Sequence, residues 1–177
     1  MRIIVAIVLL CLSALSPSAT AFADNGSERA AQDSARPPSA GEVIGRLYAF
    51  GRFQQGLLES ADLKGNQEVK NLATLRAEDA ARRDKALKQI QQAIGAEPSI
   101  GKSPAANAAL TVPDDSDGPA FVRQFYAVQV SEYEDAIALL EQYLRAPDND
   151  ALSAFARAQL PVLRSQLGDA ARSMADK

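Results

Sequence analysis

The chain has 177 residues and contains no histidine and a single cysteine, Cys11. Because these two side chains most often bind transition metals or act as nucleophile or base near neutral pH, the composition disfavours both kinds of site. The 19 basic and 22 acidic residues give a net charge of −3, which argues against a nucleic-acid-binding surface.

Residues 1–23 have the three parts of a secretory signal peptide. Met1 and Arg2 give a positive start, Ile3–Leu15 is almost entirely apolar, and Ala21–Ala23 has the A-x-A form of a cleavage site. The apolar run is shorter than the ~20 residues of a membrane-spanning helix, which disfavours an uncleaved anchor. We therefore expect export to the bacterial periplasm, with no transmembrane span and no cysteine left after cleavage.

Residues 24–40 are predicted to be a disordered leader. The segment has almost no apolar side chain larger than alanine and contains Pro37 and Pro38. It therefore cannot bury enough surface to offset the entropy that ordering would remove. The folded domain is predicted to occupy residues 41–177.

Four amphipathic helices are predicted in this domain, because apolar side chains recur there at steps of three and four. The core-facing positions of the first two are Ile44, Leu47, Gly51, Gln54, Leu58 and Ala61, then Val69, Ala73, Arg76, Ala80, Arg83, Leu87, Ile90 and Ile94. Those of the last two are Val130, Tyr133, Ile137, Leu140 and Leu144, then Leu152, Phe155, Gln159, Val162, Gln166 and Ala170. The pattern predicts an all-α four-helix bundle, with a long loop over residues 96–116 between helices 2 and 3.

Local signals predict where these helices begin and end. In chain order they are Asn66 as an N-cap, Gly95 as a stop, Asp117 as an N-cap, Pro147 as a stop, Asp148 as an N-cap, and Pro161 as a kink inside the fourth helix.

Ala96–Ser103 fits a loose A-x₄-G-K-S phosphate-binding pattern. That chemistry requires a buried strand before the loop and a helix N-terminus after it. Here a helix precedes the pattern and Pro104 follows it, so we assign no nucleotide site.

Acidic side chains near the core admit two interpretations. Glu59, Asp79, Glu132 and Asp135 are candidates for an all-carboxylate site that binds a hard cation such as Ca²⁺, Mg²⁺ or Mn²⁺. The alternative is that acidic residues form ion pairs with a basic residue four positions later. The pairs that this spacing predicts are Glu78–Arg82, Asp79–Arg83, Asp84–Lys88 and Glu141–Arg145.

Arg76 and Arg83 fall on the core face of the second helix and give it a polar middle. They either line a pocket for an anion or acidic ligand, or lie along the helix seam and pair with Asp79, Glu132 or Asp135. The helically spaced tyrosines Tyr126, Tyr133 and Tyr143 are interpreted as core or rim aromatics. No serine or lysine has a partner that would support nucleophilic catalysis.

Over about residues 45–173 the sequence resembles the exported bacterial "domain of unknown function (DUF) 4142" family. The residues that carry the resemblance are Leu58-Glu59, Glu68-Val69-Lys70, Ala73, Asp79, Phe121, Phe125, Gln129-Val130, Leu160-Pro161 and Leu167. The resemblance implies a ferritin-like four-helix bundle in the periplasm or at the cell surface, with outer-membrane association also implied. It implies no activity, because none is established for the family.

Members of that family typically carry three histidines, at positions that correspond here to Ala80, Tyr133 and Gln166. We therefore predict a non-enzymatic binding or interaction module, with no catalytic, cofactor or metal site assigned. Its partner is expected to be an unidentified protein or small ligand of the cell envelope. The alternative is a ferritin-like metal-binding or stress-related protein that uses Glu59, Asp79 and Glu132 as ligands.

Overall fold

The structure, a computed structural model, describes residues 36–63, 65–98 and 118–176. Four helices make up most of these residues: α1 (Ala40–Leu63), α2 (Gln67–Ile94), α3 (Gly118–Arg145) and α4 (Asp150–Ala175). The predicted all-α four-helix bundle is thus confirmed. The predicted signal peptide, residues 24–35 of the leader and nearly all of the predicted loop 96–116 lie outside the described residues.

The four helices form two hairpins, α1 with α2 and α3 with α4, which meet mainly along α1 and α3. The backbones of α2 and α4 also approach each other, but over a much shorter stretch. Consequently α2 and α3, although consecutive in the chain, occupy diagonal corners of the bundle.

The N-termini of α2 and α4 are both capped by asparagine. The side chain of Asn66 accepts a hydrogen bond from the backbone N–H of Val69 at 3.0 Å, which confirms the predicted cap. In α4 the capping side chain is Asn149, which accepts from the N–H of Leu152 at 3.0 Å. The prediction that Asp148 caps this helix was therefore wrong by one residue.

Asp148 instead connects the turn between α3 and α4 to the start of α1. Its Oδ1 accepts from the Tyr143 hydroxyl at 3.0 Å, and its Oδ2 accepts from the backbone N–H of Ala40 at 3.1 Å. The same helix start carries a capping box, since the N–H of Ser39 donates to Glu42 at 2.7 Å and the N–H of Glu42 donates to the Ser39 hydroxyl at 3.3 Å. Helix α1 begins one residue before the predicted position.

The predicted stops of α2 and α3 are confirmed. Gly95 follows α2 with a φ of 62°, in the left-handed region that glycine enters without a steric penalty. Helix α3 ends at Arg145, two residues before Pro147. Helix α4 continues as one element through Pro161.

The core consists of two apolar clusters, one toward each end of the bundle. The first is Ala40, Val43, Ile44, Leu47, Phe50, Leu87, Tyr133, Ala136, Ile137, Leu139, Leu140, Tyr143, Leu152, Ala156, Leu160 and Leu163. The second is Leu57, Val69, Ala73, Phe121, Val122, Phe125, Tyr126 and Ala170. Within the described residues, no helix has a stretch apolar enough to cross a lipid bilayer.

Gly51 permits a close approach between α1 and α2. A Cβ atom at this position would lie 2.7 Å from both carboxylate oxygens of Asp84. The half-buried Asp84 side chain therefore lies directly against the α1 backbone. Its Oδ1 has no hydrogen-bond partner in the structure, and burial raises the pKa of this carboxyl above its ordinary value.

A glycine-to-alanine change inside a helix ordinarily stabilises it by about 0.5–1 kcal/mol. We expect this gain for Gly56→Ala, because outside the backbone of its own helix no atom of the described residues lies within 4 Å of the added methyl group. For Gly51→Ala the gain should be lost or reversed, since the methyl displaces Asp84, and Asp84→Ala in the same chain should restore it. Urea unfolding measures all three variants, and equal stabilisation at both glycines would contradict the prediction.

Candidate functional site

A polar layer crosses the bundle between the two apolar clusters. It consists of Gln54 from α1, Arg76, Asp79 and Arg83 from α2, Gln129 from α3 and Gln166 from α4. Polar groups in a core destabilise the fold unless their hydrogen bonds are made. The partners of each group therefore decide what the layer can do.

Gln54 and Gln129 satisfy each other on one side of the layer. The Nε2 of Gln54 donates to the Oε1 of Gln129 at 3.2 Å, and the reverse hydrogen bond is 3.0 Å long. Both side chains are almost completely buried. This reciprocal pair joins α1 to α3, and the two carboxamides use these hydrogen bonds on each other.

Asp79 is the centre of the other side of the layer. Its Oδ2 accepts a hydrogen bond of 2.7 Å from Gln166, which connects α2 to α4. Its Oδ1 accepts from Arg82, and Arg76 lies 3.7 Å from Oδ2. Arg76 also lies 3.5 Å from Asp169 on α4. The charge of Asp79 is thus balanced within this cluster.

Arg83 has no carboxylate partner in the described residues. It is 5% exposed, and its Nε and Nη2 atoms make no hydrogen bond within the part of the chain that the structure describes. Its guanidinium carbon lies 4.5 Å from the centre of the Phe50 ring, a cation–π contact. The predicted Asp79–Arg83 ion pair was wrong, because the Asp79 oxygens are engaged by Arg82 and Gln166. Burial lowers the pKa of Arg83, which still carries its charge near neutral pH.

Tyr133 borders this side of the layer from α3. Its ring packs edge-on against Phe50 with centroids 5.5 Å apart, and the Arg76 guanidinium carbon lies 5.9 Å from its centre. Burial raises the pKa of the Tyr133 hydroxyl to about 12, so it stays protonated at physiological pH. Tyr126 and Tyr143 are also buried, and each donates to a carboxylate elsewhere in the bundle at 3.0 Å.

A cavity of about 210 Å³ lies beside the layer between α2 and α4, the adjacent helices whose backbones approach least. It is lined by Asp79, Arg82, Arg83 and Ala86 from α2 and by Gln159, Val162 and Gln166 from α4. The cavity was not predicted from the sequence. One indication of it was present in the sequence. Arg83, Gln159 and Gln166 are polar residues at core-facing positions of the second and fourth helices.

The apolar face of α4 differs from the predicted one at Val162. This side chain is 45% exposed, whereas Leu160 and Leu163 are buried. The prediction that Val162 lies in the core was therefore wrong. The packing of α4 on α3 selects the leucines, and Val162 is left at the edge of the cavity.

The candidate metal ligands do not gather at one place. Glu59 is exposed on α1, Asp79 lies in the polar layer, and Glu132 and Asp135 line a different small cavity beside α1. In residues 36–63, 65–98 and 118–176, no group of three or more acidic side chains is placed to hold a metal ion.

Of the predicted ion pairs four residues apart, Glu78–Arg82 is present at 3.9 Å. Glu141 instead pairs with Arg164 on the neighbouring helix at 2.7 Å. Besides Asp79–Arg83, the predicted pairs that the described residues do not form are Asp84–Lys88 and Glu141–Arg145. For Glu141 the contact with the neighbouring helix replaces the predicted contact along its own helix.

A wider groove of about 560 Å³ lies farther along α2 and α4. Leu75 is 56% exposed beside it. Its arginines already have partners, since Arg76 contacts Asp79 and Asp169, and Arg172 lies 2.6 Å from Asp169. The groove therefore lacks the unpaired buried cation that distinguishes the smaller cavity.

Glu132 is, with Arg83 and Asp84, one of three side chains in the described residues that have a buried polar atom without a hydrogen bond. Its Oε1 has no partner, and it lines a cavity of about 20 Å³ together with Arg46 and Asp135. That volume is about the size needed for one water molecule. Burial, with a smaller contribution from the nearby charge of Asp135, raises the pKa of Glu132 to about 7.

Because the folded-state pKa of Glu132 lies above its ordinary value of 4.5, the folded protein binds a proton that the unfolded chain releases between these two values. The resulting stabilisation is complete below about pH 4.5 and is lost as the pH rises through about 7. Glu132→Gln, which is always neutral, should therefore stabilise the fold by on the order of 1–2 kcal/mol at about pH 8 and change little at about pH 4. Urea unfolding at both pH values, with the exposed Glu134→Gln as control, tests this. An equal effect at both values would contradict it.

Comparison with known proteins identifies the family. A family model described as "Domain of unknown function (DUF4142)" matches residues 25–172. Searches of curated proteins and of solved structures found no match. The matched range contains the polar layer and the complete lining of the cavity between α2 and α4. The chain therefore belongs to the DUF4142 family.

Proposed function

We propose that this protein is an exported, non-enzymatic module of the bacterial periplasm that binds a small ligand in the cavity between α2 and α4. The observation that carries the proposal is Arg83, a buried and unpaired cation in the cavity wall. A buried charge without a partner destabilises the fold, and such groups occur preferentially at functional sites. A bound ligand would supply the missing partner.

The lining of the cavity supports binding rather than catalysis. Its side chains are one carboxylate, two guanidinium groups, two carboxamides and two apolar groups. General acid–base or nucleophilic catalysis ordinarily uses a histidine, carboxylate, cysteine, serine or lysine with an adjacent activating group. Of these types the cavity lining has the carboxylate of Asp79, and its two oxygens are held by Gln166 and Arg82.

Filling the cavity should abolish ligand binding. Val162→Phe adds bulk from a partly exposed position and should leave the fold intact, because the side chain is outside the apolar clusters. In a thermal-shift screen of small anionic, neutral and cationic compounds, we expect at least one compound that stabilises the natural protein but not Val162→Phe. The matched control is Ala158→Phe, at an exposed position of α4 outside the cavity. If no compound distinguishes the two variants, the proposed function is wrong.

Export is supported by the signal-peptide pattern of residues 1–23 and by the absence of cysteine after residue 11. Cells that express the full chain should therefore release it with the periplasmic fraction, and the N-terminal sequence of the recovered protein should begin at Asp24. Recovery with the outer membrane would indicate the envelope association that the family resemblance implies. Uncleaved protein in the cytoplasm would contradict export.

A further inference from the structure

We infer that the ligand of this cavity is a small organic monocarboxylate, bound through Arg83. The inference rests on the proposed function and specifies the chemical class of its ligand. It follows from three properties of the cavity wall: its charge, the free edge of the Arg83 guanidinium, and its apolar part.

The charge of the wall favours a single negative charge. The titratable groups that line the cavity are Asp79, Arg82 and Arg83. Asp79 forms an ion pair with Arg82, so this pair contributes little net charge. Asp84 acts on Arg83 only through space and does not line the cavity, so within the lining the charge of Arg83 remains, and a ligand with one negative charge would neutralise the wall.

The free edge of Arg83 matches the geometry of a carboxylate. Nε and Nη2, the two atoms without hydrogen bonds, lie on the same edge of the planar guanidinium. Their parallel N–H groups can donate to both oxygens of one carboxylate. Both atoms are buried in the structure, so binding requires the Arg83 side chain to rotate until this edge faces the cavity.

The remaining wall distinguishes an organic acid from an inorganic anion. Ala86 and Val162 offer apolar surface, on which an alkyl or aryl group can pack. Gln159 and Gln166 add carboxamides that can hydrogen-bond a polar substituent. Inorganic phosphate has no apolar part and carries a larger charge, so it uses neither the apolar surface nor the charge match.

Isothermal titration calorimetry tests the ligand class with acetate, butyrate, hexanoate and benzoate at constant ionic strength. Affinity should rise from acetate to hexanoate and benzoate. Benzamide, the neutral counterpart of benzoate, should bind at least about tenfold more weakly. Inorganic phosphate should also bind more weakly than benzoate.

Arg83→Met tests the role of the cation. Methionine has a similar length and no charge, so this variant should melt at or above the temperature of the natural protein, yet bind benzoate at least about tenfold more weakly. Arg83→Lys keeps the charge but loses the parallel donors, and should bind with intermediate affinity. The control is Arg164→Met, an exposed arginine of α4 that pairs with Glu141, which should leave benzoate binding unchanged.

Asp79→Asn tests the charge argument in the opposite direction. Asparagine can still accept the hydrogen bond from Gln166 through its side-chain oxygen, while Arg82 loses its counter-charge in the wall. Carboxylates should therefore bind severalfold more tightly to this variant. Weaker binding would contradict the assigned charge balance.

The outcomes separate this inference from the proposed function. Binding of neutral or cationic compounds that Val162→Phe abolishes, without binding of carboxylates, would overturn the carboxylate inference and leave the small-ligand function in place. Phosphate binding tighter than that of any carboxylate would do the same. Benzoate binding that survives both Arg83→Met and Val162→Phe would place the ligand elsewhere and overturn the inference.

Discussion

The hydrogen bond between Gln166 and Asp79 is the interaction on which the α2–α4 side of the polar layer depends. It spans α2 and α4, the adjacent helices whose backbones approach least, at the level where one apolar cluster ends and the other begins. A direct contact of 2.7 Å closes the bundle at this level, while the helices remain far enough apart beside it to leave the cavity. Without this hydrogen bond, the Gln166 carboxamide of α4 and the Asp79 carboxylate of α2 would each lose a partner in a partly buried position.

That contact also explains why Arg83 is left without a partner. Asp79 accepts from Gln166 on one oxygen and from Arg82 on the other, with Arg76 close by, and the Arg83 guanidinium packs on Phe50 instead. Asp84 follows directly in the chain but lies against Gly51 of α1, and its charge reaches Arg83 only through space. The stability needed to tolerate such a cation comes from the apolar clusters on either side of the layer.

The layer is thus divided into a closed half and an open half. On the side of α1 and α3, Gln54 and Gln129 satisfy each other, and the packing of Phe50 on Tyr133 adds an apolar boundary. On the side of α2 and α4, a cation with two free donors borders a cavity that has both polar and apolar walls. This asymmetry directs the proposed function to one face of a bundle whose four helices otherwise have similar lengths and amphipathic patterns.

The sequence by itself determined the fold class, because the step of three and four residues between apolar side chains is a local property of a helix. It also determined the cap at Asn66, the stop at Gly95 and the presence of polar residues at Arg76, Arg83 and Gln166 on core-facing stripes, since each depends on neighbouring residues. Only the tertiary structure decided which charges pair. Arg83 and Asp79 have the spacing of an ion pair, yet α4 supplies Gln166 as a competing partner from 87 positions away in the chain. Three other features likewise depend on how helices distant in sequence approach one another: the rotation of α4 that exposes Val162, the shift of its cap to Asn149, and the cavity itself. The local periodicity of apolar residues carries no information about the distance between two helices.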